Sequence, residues 1–394
     1  MLLNLAIITI LALFANWCFE KIKIPGLLGM VLLGVVLGPY CIDFISPDLL
    51  KISAELRSAA LIVILIRAGL GLKRKTLNKV GVPALKMSCI PGIIEGTVIL
   101  LAARWLLGLD WAAAGMLGFI VAAVSPAVVV PQMLDIKEKG YGKKREIPTL
   151  ILAGASLDDV FAITIFGVFL QAGVDTGTNI LASVVKVPLG IVLGIVLGLA
   201  AGYALVKFFQ RFHMRATKKT MLFMIVAVAL YSLKNTTGFV PIATLLGVMA
   251  MGFVVLEMDN DTALKLANKF SKVWIFAEIL LFVLIGAQVN IAVAFTAGLV
   301  GLLIIAVGLI ARSTGVWIAL ARSELNNREK LFCVFSYLPK ATVQAAIGAT
   351  PLAMGVKGGD LILAIAVLSI IVTAPLGATL IRATHTKLLE PNSE

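Results

Sequence analysis

Two adjacent carboxylates, Asp158 and Asp159, lie in the middle of an otherwise apolar run from about Thr149 to Gln171. A run of that length and composition predicts a membrane-spanning helix. An ionised group near its centre is expensive and is rarely kept without a task. Neighbours on a helix point about 100° apart, so the two acids cannot clamp one ligand by themselves. One can face one structural element while the other faces a second. Close carboxylates resist simultaneous ionisation, so the pair suits either a proton or a hard monovalent cation, in competition. Ser156, one turn before Asp159, can add an oxygen. The alternative is a buried ion pair with Lys340 or Arg312.

Other charges fall inside predicted spans. Glu95 and Arg312 occupy equivalent places in two groups of helices and are expected to pair. Each alone would cost about 3 kcal/mol on insertion scales. Arg312 can tether but cannot release a proton. Lys340, directly after Pro339, is expected to serve as a fixed counter-charge at helix C-terminal ends. Arg67 and Glu278 also lie within spans and are read as structural. Lys86, Arg104 and Lys186 sit closer to span ends and can snorkel.

The elements that must carry these charges follow from composition. Of 394 residues, 60% are hydrophobic and 14% charged, with a mean hydropathy of +1.04. That excludes a soluble fold and leaves a polytopic membrane protein without a separate soluble domain. The runs are helical, not barrel strands. They give about thirteen windows, near 2–19, 24–40, 56–72, 83–107, 111–134, 148–170, 180–206, 220–233, 238–256, 272–288, 291–321, 331–353 and 360–383. The first is read as a span and not a signal peptide, since it has no basic leader or small-residue cleavage site.

The net charge of +13 would suit nucleic acid, but the basic residues lie in short connections after odd-numbered windows. Examples are Lys73–Lys79, Lys137–Arg145, Lys207–Lys219 and Arg322–Lys330. Connections after even-numbered windows carry Asp43, Asp48, Asp110 and Asp175. By the positive-inside rule the N-terminus is outside and the C-terminus cytoplasmic. The four cysteines show no ligand spacing, and His213 and His385 fall at window edges. No cofactor or nucleic-acid partner is expected.

Two windows carry breaks. The fifth contains Ser125-Pro126-Ala127-Val128-Val129-Val130-Pro131, whose prolines free the carbonyls of Ala122 and Ala127. The twelfth contains Pro339-Lys340, and Pro339 frees the carbonyl of Phe335 in the same way. Such groups need partners or a wet cavity. Windows four to six and eleven to thirteen form two groups of opposite orientation, each broken in its middle member. That arrangement predicts inverted-topology repeats with an ion site where the breaks meet. Gly190, Gly194, Gly198 and Gly202, with Gly34 and Gly38, predict close helix packing. The five tryptophans, Trp17, Trp105, Trp111, Trp274 and Trp317, read as interfacial anchors.

The chain resembles the monovalent cation:proton antiporter superfamily, most closely the sodium/proton exchangers of the cation/proton antiporter-2 branch, including the NHA-type (9B) exchangers. The matching stretches are Val124–Pro131, Leu157–Val160, Ile64–Leu70, Leu338–Gly348 and Leu284–Ala287. They run from the third window to the twelfth, so the likeness covers nearly the whole chain. The resemblance implies one transmembrane domain over 1–394, with core half-repeats at 83–172 and 291–383 and dimerisation or scaffold helices mainly at 1–72 and 180–256. It implies a homodimer whose core moves as a body between inward and outward states. Asp159 would be the principal ion- and proton-binding carboxylate and Asp158 its neighbour, both ligands of Na⁺, with Ser125 and Ser156 contributing. Pro126, Pro131, Pro339 and Lys340 would shape the breaks. Where many double-aspartate relatives carry a lysine in the helix before the second break, this chain has Arg312, opposite Glu95. That difference leaves the stoichiometry open.

The function implied is exchange of Na⁺ or Li⁺ for H⁺ across a cell (inner or plasma) membrane, serving pH homeostasis, with no bond made or broken. A K⁺/H⁺ exchanger of the same fold is the nearest alternative. An intramembrane aspartate hydrolase would need carboxylates converging from different elements, and a channel would need visible lining rings.

Overall fold

The structure, a computed structural model, describes residues 2–72, 74–142, 144–174, 187–212, 214–233 and 242–391. The expected starts of the seventh and ninth windows (180–186 and 238–241), with Lys73, Lys143, Asp175, Lys186, His213 and Lys234, lie outside the described residues.

Helix accounts for nearly everything, because a backbone surrounded by apolar side chains must satisfy its own hydrogen bonds. In chain order the helices are α1 (Leu2–Lys21), α2 (Gly26–Leu37), α3 (Pro47–Lys51), α4 (Ser53–Gly71), α5 (Arg74–Leu106), α6 (Trp111–Ala122), α7 (Pro126–Glu138) and α8 (Ile147–Val174). They continue as α9 (Val187–Arg211), α10 (Ala216–Ser232), α11 (Thr244–Met258), α12 (Asn260–Ala287), α13 (Ile291–Ala319), α14 (Asn327–Ser336), α15 (Thr342–Ile347), α16 (Thr350–Ala353) and α17 (Gly359–Leu388).

Counting α6 and α7 as one, 8 helices among the described residues are long and apolar enough to cross a membrane. The other five windows hold α2, α4, α10, α11 and the α14–α16 series, which fall short of that measure in length or apolarity.

Both breaks are present. The fifth window parts at Ala123, Val124 and Ser125, and α7 restarts with Pro126 at its first position. There the missing N–H costs nothing and the fixed φ suits a helix start. Pro131, expected to share in the break, instead lies inside α7, so the window is interrupted once. The twelfth window parts at Tyr337–Ala341, between α14 and α15. Here the Phe335 carbonyl, expected to be freed by Pro339, accepts from the backbone N–H of Tyr337 and of Leu338 in a closing turn. The two breaks are tied directly, the N–H of Ser125 donating to the carbonyl of Pro339 at 2.8 Å.

Around this crossing pack α5, α6, α8, α13 and α17. Helix α6 is buried from Ala112 to Ala122. It therefore sits in the middle of the bundle and not on its rim. A second group packs α2 and α4 on α12, α4 also on α11, and α9 on α11.

The expected glycine packing is present in that second group. A Cβ on Gly194, Gly198 or Gly202 would run into the backbone of Ala243, Gly247 or Met251, and one on Gly34 or Gly38 into Val283 or Ala287. A Gly198→Leu variant is expected to force α9 off α11 and to lower stability by about 1–3 kcal/mol, the usual cost of overpacking. Thermal unfolding in detergent checks this, and an unchanged midpoint would refute the packing. One anchor reading fails. Trp274 is only 7% exposed and lies 5.5 Å from the Arg67 guanidinium, so it packs inside the bundle beside a charge.

A candidate ion site at the crossing of two broken helices

A helix C-terminus leaves four carbonyls without intrahelical donors, and at the end of α6 all four are met by side chains from elsewhere. Gln344 of α15 donates its amide nitrogen to the carbonyls of Ile120 (2.8 Å), Val121 (3.3 Å) and Ala123 (3.0 Å). The Ala122 carbonyl accepts from Lys340 Nζ at 3.2 Å and from the Arg312 guanidinium. Two cations thus stand where the helix dipole is negative. On the other side of the break the polarity reverses, and the free N–H of Val124 donates to Asp158 Oδ2 at 2.8 Å.

The charged groups form one continuous, fully buried set. Arg312 Nη1 bonds Glu95 Oε2 at 2.7 Å, and Nη2 bonds Asp158 Oδ2 at 2.9 Å. Lys340 Nζ bonds the same Glu95 oxygen at 2.6 Å. The expected Glu95–Arg312 pair is therefore one link of a chain running Lys340–Glu95–Arg312–Asp158. Lys340 is also held through its backbone, whose N–H donates to Thr373 Oγ1 at 2.9 Å.

Asp159 stands apart. It is 2% exposed, its Oδ1 has no hydrogen-bond partner, and no Lys or Arg among the described residues lies within ion-pair distance. The two cations of the set balance Glu95 and Asp158, which leaves the Asp159 carboxylate as one negative charge in excess. Burying such a charge is costly unless something positive joins it.

Further oxygens are buried without a partner: Ser125 Oγ, Thr342 Oγ1, Tyr337 Oη, Gln344 Oε1 and Asp158 Oδ1. Three of these residues lie in or directly beside the two breaks, where the chain is not committed to a helical ladder. Ser156 differs, because its hydroxyl donates to the Leu152 carbonyl at 2.8 Å and only its lone pairs remain. Of the expected site residues, Asp158, Asp159, Ser125, Lys340, Glu95, Arg312, Pro126 and Pro339 are all buried, whereas Ser156 is half-buried and Pro131 exposed.

Gln344, Tyr337, Thr342 and Thr373 were not singled out in the sequence. Their position beside Pro339 was the available signal for Tyr337 and Thr342. Thr373, in a plain apolar helix, offered none.

Residues 7–387 match the sequence model of the family described as sodium/hydrogen exchanger, transmembrane. The chain belongs to that family. This exchanger is accordingly a secondary transporter and not an enzyme. It is 35% identical over 386 residues to the human sodium/hydrogen exchanger 9B2, covering 93% of this chain and 70% of that protein. To human sodium/hydrogen exchanger 9B1 it is 32% identical over 392 residues, covering 93% and 73%. Its fold is that of the sodium proton antiporter MjNhaP1 from Methanocaldococcus jannaschii at pH 8, with TM-score 0.84, 19% identity, and 98% of this chain and 97% of that chain covered.

Proposed function

We propose that this exchanger carries one Na⁺ or Li⁺ in exchange for one H⁺, the two competing for the Asp159 carboxylate. The observation that carries the reading is the charge balance: four buried charges cancel and Asp159 is left over. Either guest, a proton or a monovalent cation, restores neutrality to the buried set, and both together would overshoot it. A divalent cation would overshoot as well. Ser125 and Thr342, with unpartnered hydroxyl oxygens beside the breaks, complete a hard-oxygen environment of the kind small cations take. The relatives named for sodium/hydrogen exchange support the substrates.

Alternating access then moves the half-repeats 83–172 and 291–383 as a body against helices of 1–72 and 180–256. A homodimer anchors the latter in the bilayer of a cell membrane. The basic loops, with Lys137 and Arg145 among them, face the cytoplasm with the C-terminus, and the N-terminus lies outside. Lys340 and Arg312 stay charged and keep Glu95 and Asp158 occupied throughout. Asp158 consequently carries no proton of its own across, and each cycle moves no net charge.

That last step sets the experiment. In proteoliposomes, Na⁺-driven proton flux should saturate with Na⁺ and be insensitive to a clamped membrane potential. If one net charge crossed per cycle, 100 mV would bias the equilibrium by about 2.3 kcal/mol, or roughly 50-fold. A potential-dependent end point would overturn the one-for-one exchange. A flux driven by K⁺ and not by Na⁺ or Li⁺ would replace the substrate.

A further inference from the structure

Tyr337 is fully buried, yet its hydroxyl has no hydrogen-bond partner. Buried tyrosine hydroxyls normally find one, and leaving one unpaired costs about 1–3 kcal/mol. The residue caps α14 two positions before Pro339, and its ring lies 5.3 Å from the Arg312 guanidinium.

The hydroxyl is also placed by its neighbours. It stands against Gly154 of α8, where any Cβ would collide with it. Position 154 is one turn before Asp158. Helix α5 repeats the same register: Met87 lies beside Gly154, and Gly92, five residues on, lies beside Asp158 Oδ1. The hydroxyl is thus about one helical turn from Asp158, on the side of the basic loop that holds Lys137 and Arg145. Asp158 Oδ1, one turn on, and Asp159 Oδ1 are unpartnered too.

We infer that the Tyr337 hydroxyl is a cation ligand on one approach only, contacting the ion as it passes between Asp159 and the face that bears the Lys137–Arg145 loop. The inference rests on Asp159 being the exchange site. The glycine at position 154 opens the space the oxygen needs. The ring, by holding against Arg312, fixes where the oxygen points. An oxygen with no protein partner in one state is satisfied by the hydrated or partly hydrated ion in the other.

Tyr337→Phe removes the oxygen and keeps the ring. In membrane vesicles of both orientations, the Na⁺ KM on the Lys137–Arg145 face should rise about fivefold, the factor that about 1 kcal/mol makes. On the opposite face it should stay within about twofold, as should the maximal rate. The unfolding midpoint should not fall. An unchanged KM on both faces overturns the inference, and so does an equal shift on both faces with a lowered midpoint, which marks a packing role. The parent protein is measured alongside. If it shows no Na⁺-coupled proton flux, the exchange reading itself fails. If it exchanges while Tyr337→Phe matches it, only the ligand role of Tyr337 is lost.

Discussion

Asp159→Asn is expected to abolish exchange while leaving a folded protein. Asparagine keeps the shape of the side chain but can neither take a proton at this site nor offset a cation's charge. Losing a desolvated charge–charge contact costs about 2–5 kcal/mol, so Na⁺-driven proton flux should drop by about 30-fold or more. The stability effect should run the other way. Asp159 is the one acid of the buried set without a basic partner, and a charge that is buried and unpaired works against the fold. Neutralising it should leave the unfolding midpoint in detergent unchanged or raise it. Flux close to that of the parent chain would sink the assignment, because no other acid of the set is free of a counter-charge.

Asp158→Asn should behave differently, although the two residues are adjacent. Asp158 Oδ2 holds both Arg312 and the Val124 N–H, so this change leaves Arg312 short of a carboxylate at the centre of the bundle. The contrast between neighbours follows from helix geometry: side chains about 100° apart meet different elements. One turns toward the break in the fifth window and α13, while the other has no Lys or Arg among the described residues within ion-pair distance.

Much of this was legible in the sequence because the membrane makes a few features expensive. An acid pair in an apolar run, a proline pair in another and Pro-Lys in a third each cost enough to imply partners. Glu95 and Arg312 could be matched from their equivalent positions in two three-helix groups. The close packing of α9 was readable because small residues recur every fourth position. What could not be read was which cation meets which acid. Lys340 was expected at helix ends in a general way, and the structure places it on the same Glu95 oxygen that Arg312 uses. That choice depends on how α14 and α15 cross α6, which no periodicity encodes. Gln344 escaped notice for the same reason, since an amide in an apolar helix has no distinguishing pattern until the carbonyl ends of α6 arrive beside it. Trp274 misled, because proximity to a window end suggested the interface while the residue packs inward beside Arg67.

The second large effect concerns Arg312. Its two terminal nitrogens reach Glu95, Asp158 and the Ala122 carbonyl at once, and it is fully buried. Arg312→Met should therefore be far more damaging than loss of a surface ion pair. It leaves Lys340 facing three buried acids, with Asp158 held only by the Val124 N–H. Breaking a buried pair by removing one partner costs about 3–5 kcal/mol, enough to lower the unfolding midpoint steeply or to prevent accumulation of the protein. Arg312→Lys should rescue little, since a single ammonium cannot span two carboxylates and a carbonyl as the guanidinium fork does. The informative variant is the double change Arg312→Met with Asp158→Asn. It removes one charge of each sign and returns the set to Lys340, Glu95 and Asp159, with the excess at Asp159 unchanged. If the loss in Arg312→Met comes from stranded charge, the double variant should recover most of the midpoint. If the two losses simply add, Arg312 supports the bundle through packing against Tyr337 and its neighbours, and the charge balance does not govern stability here.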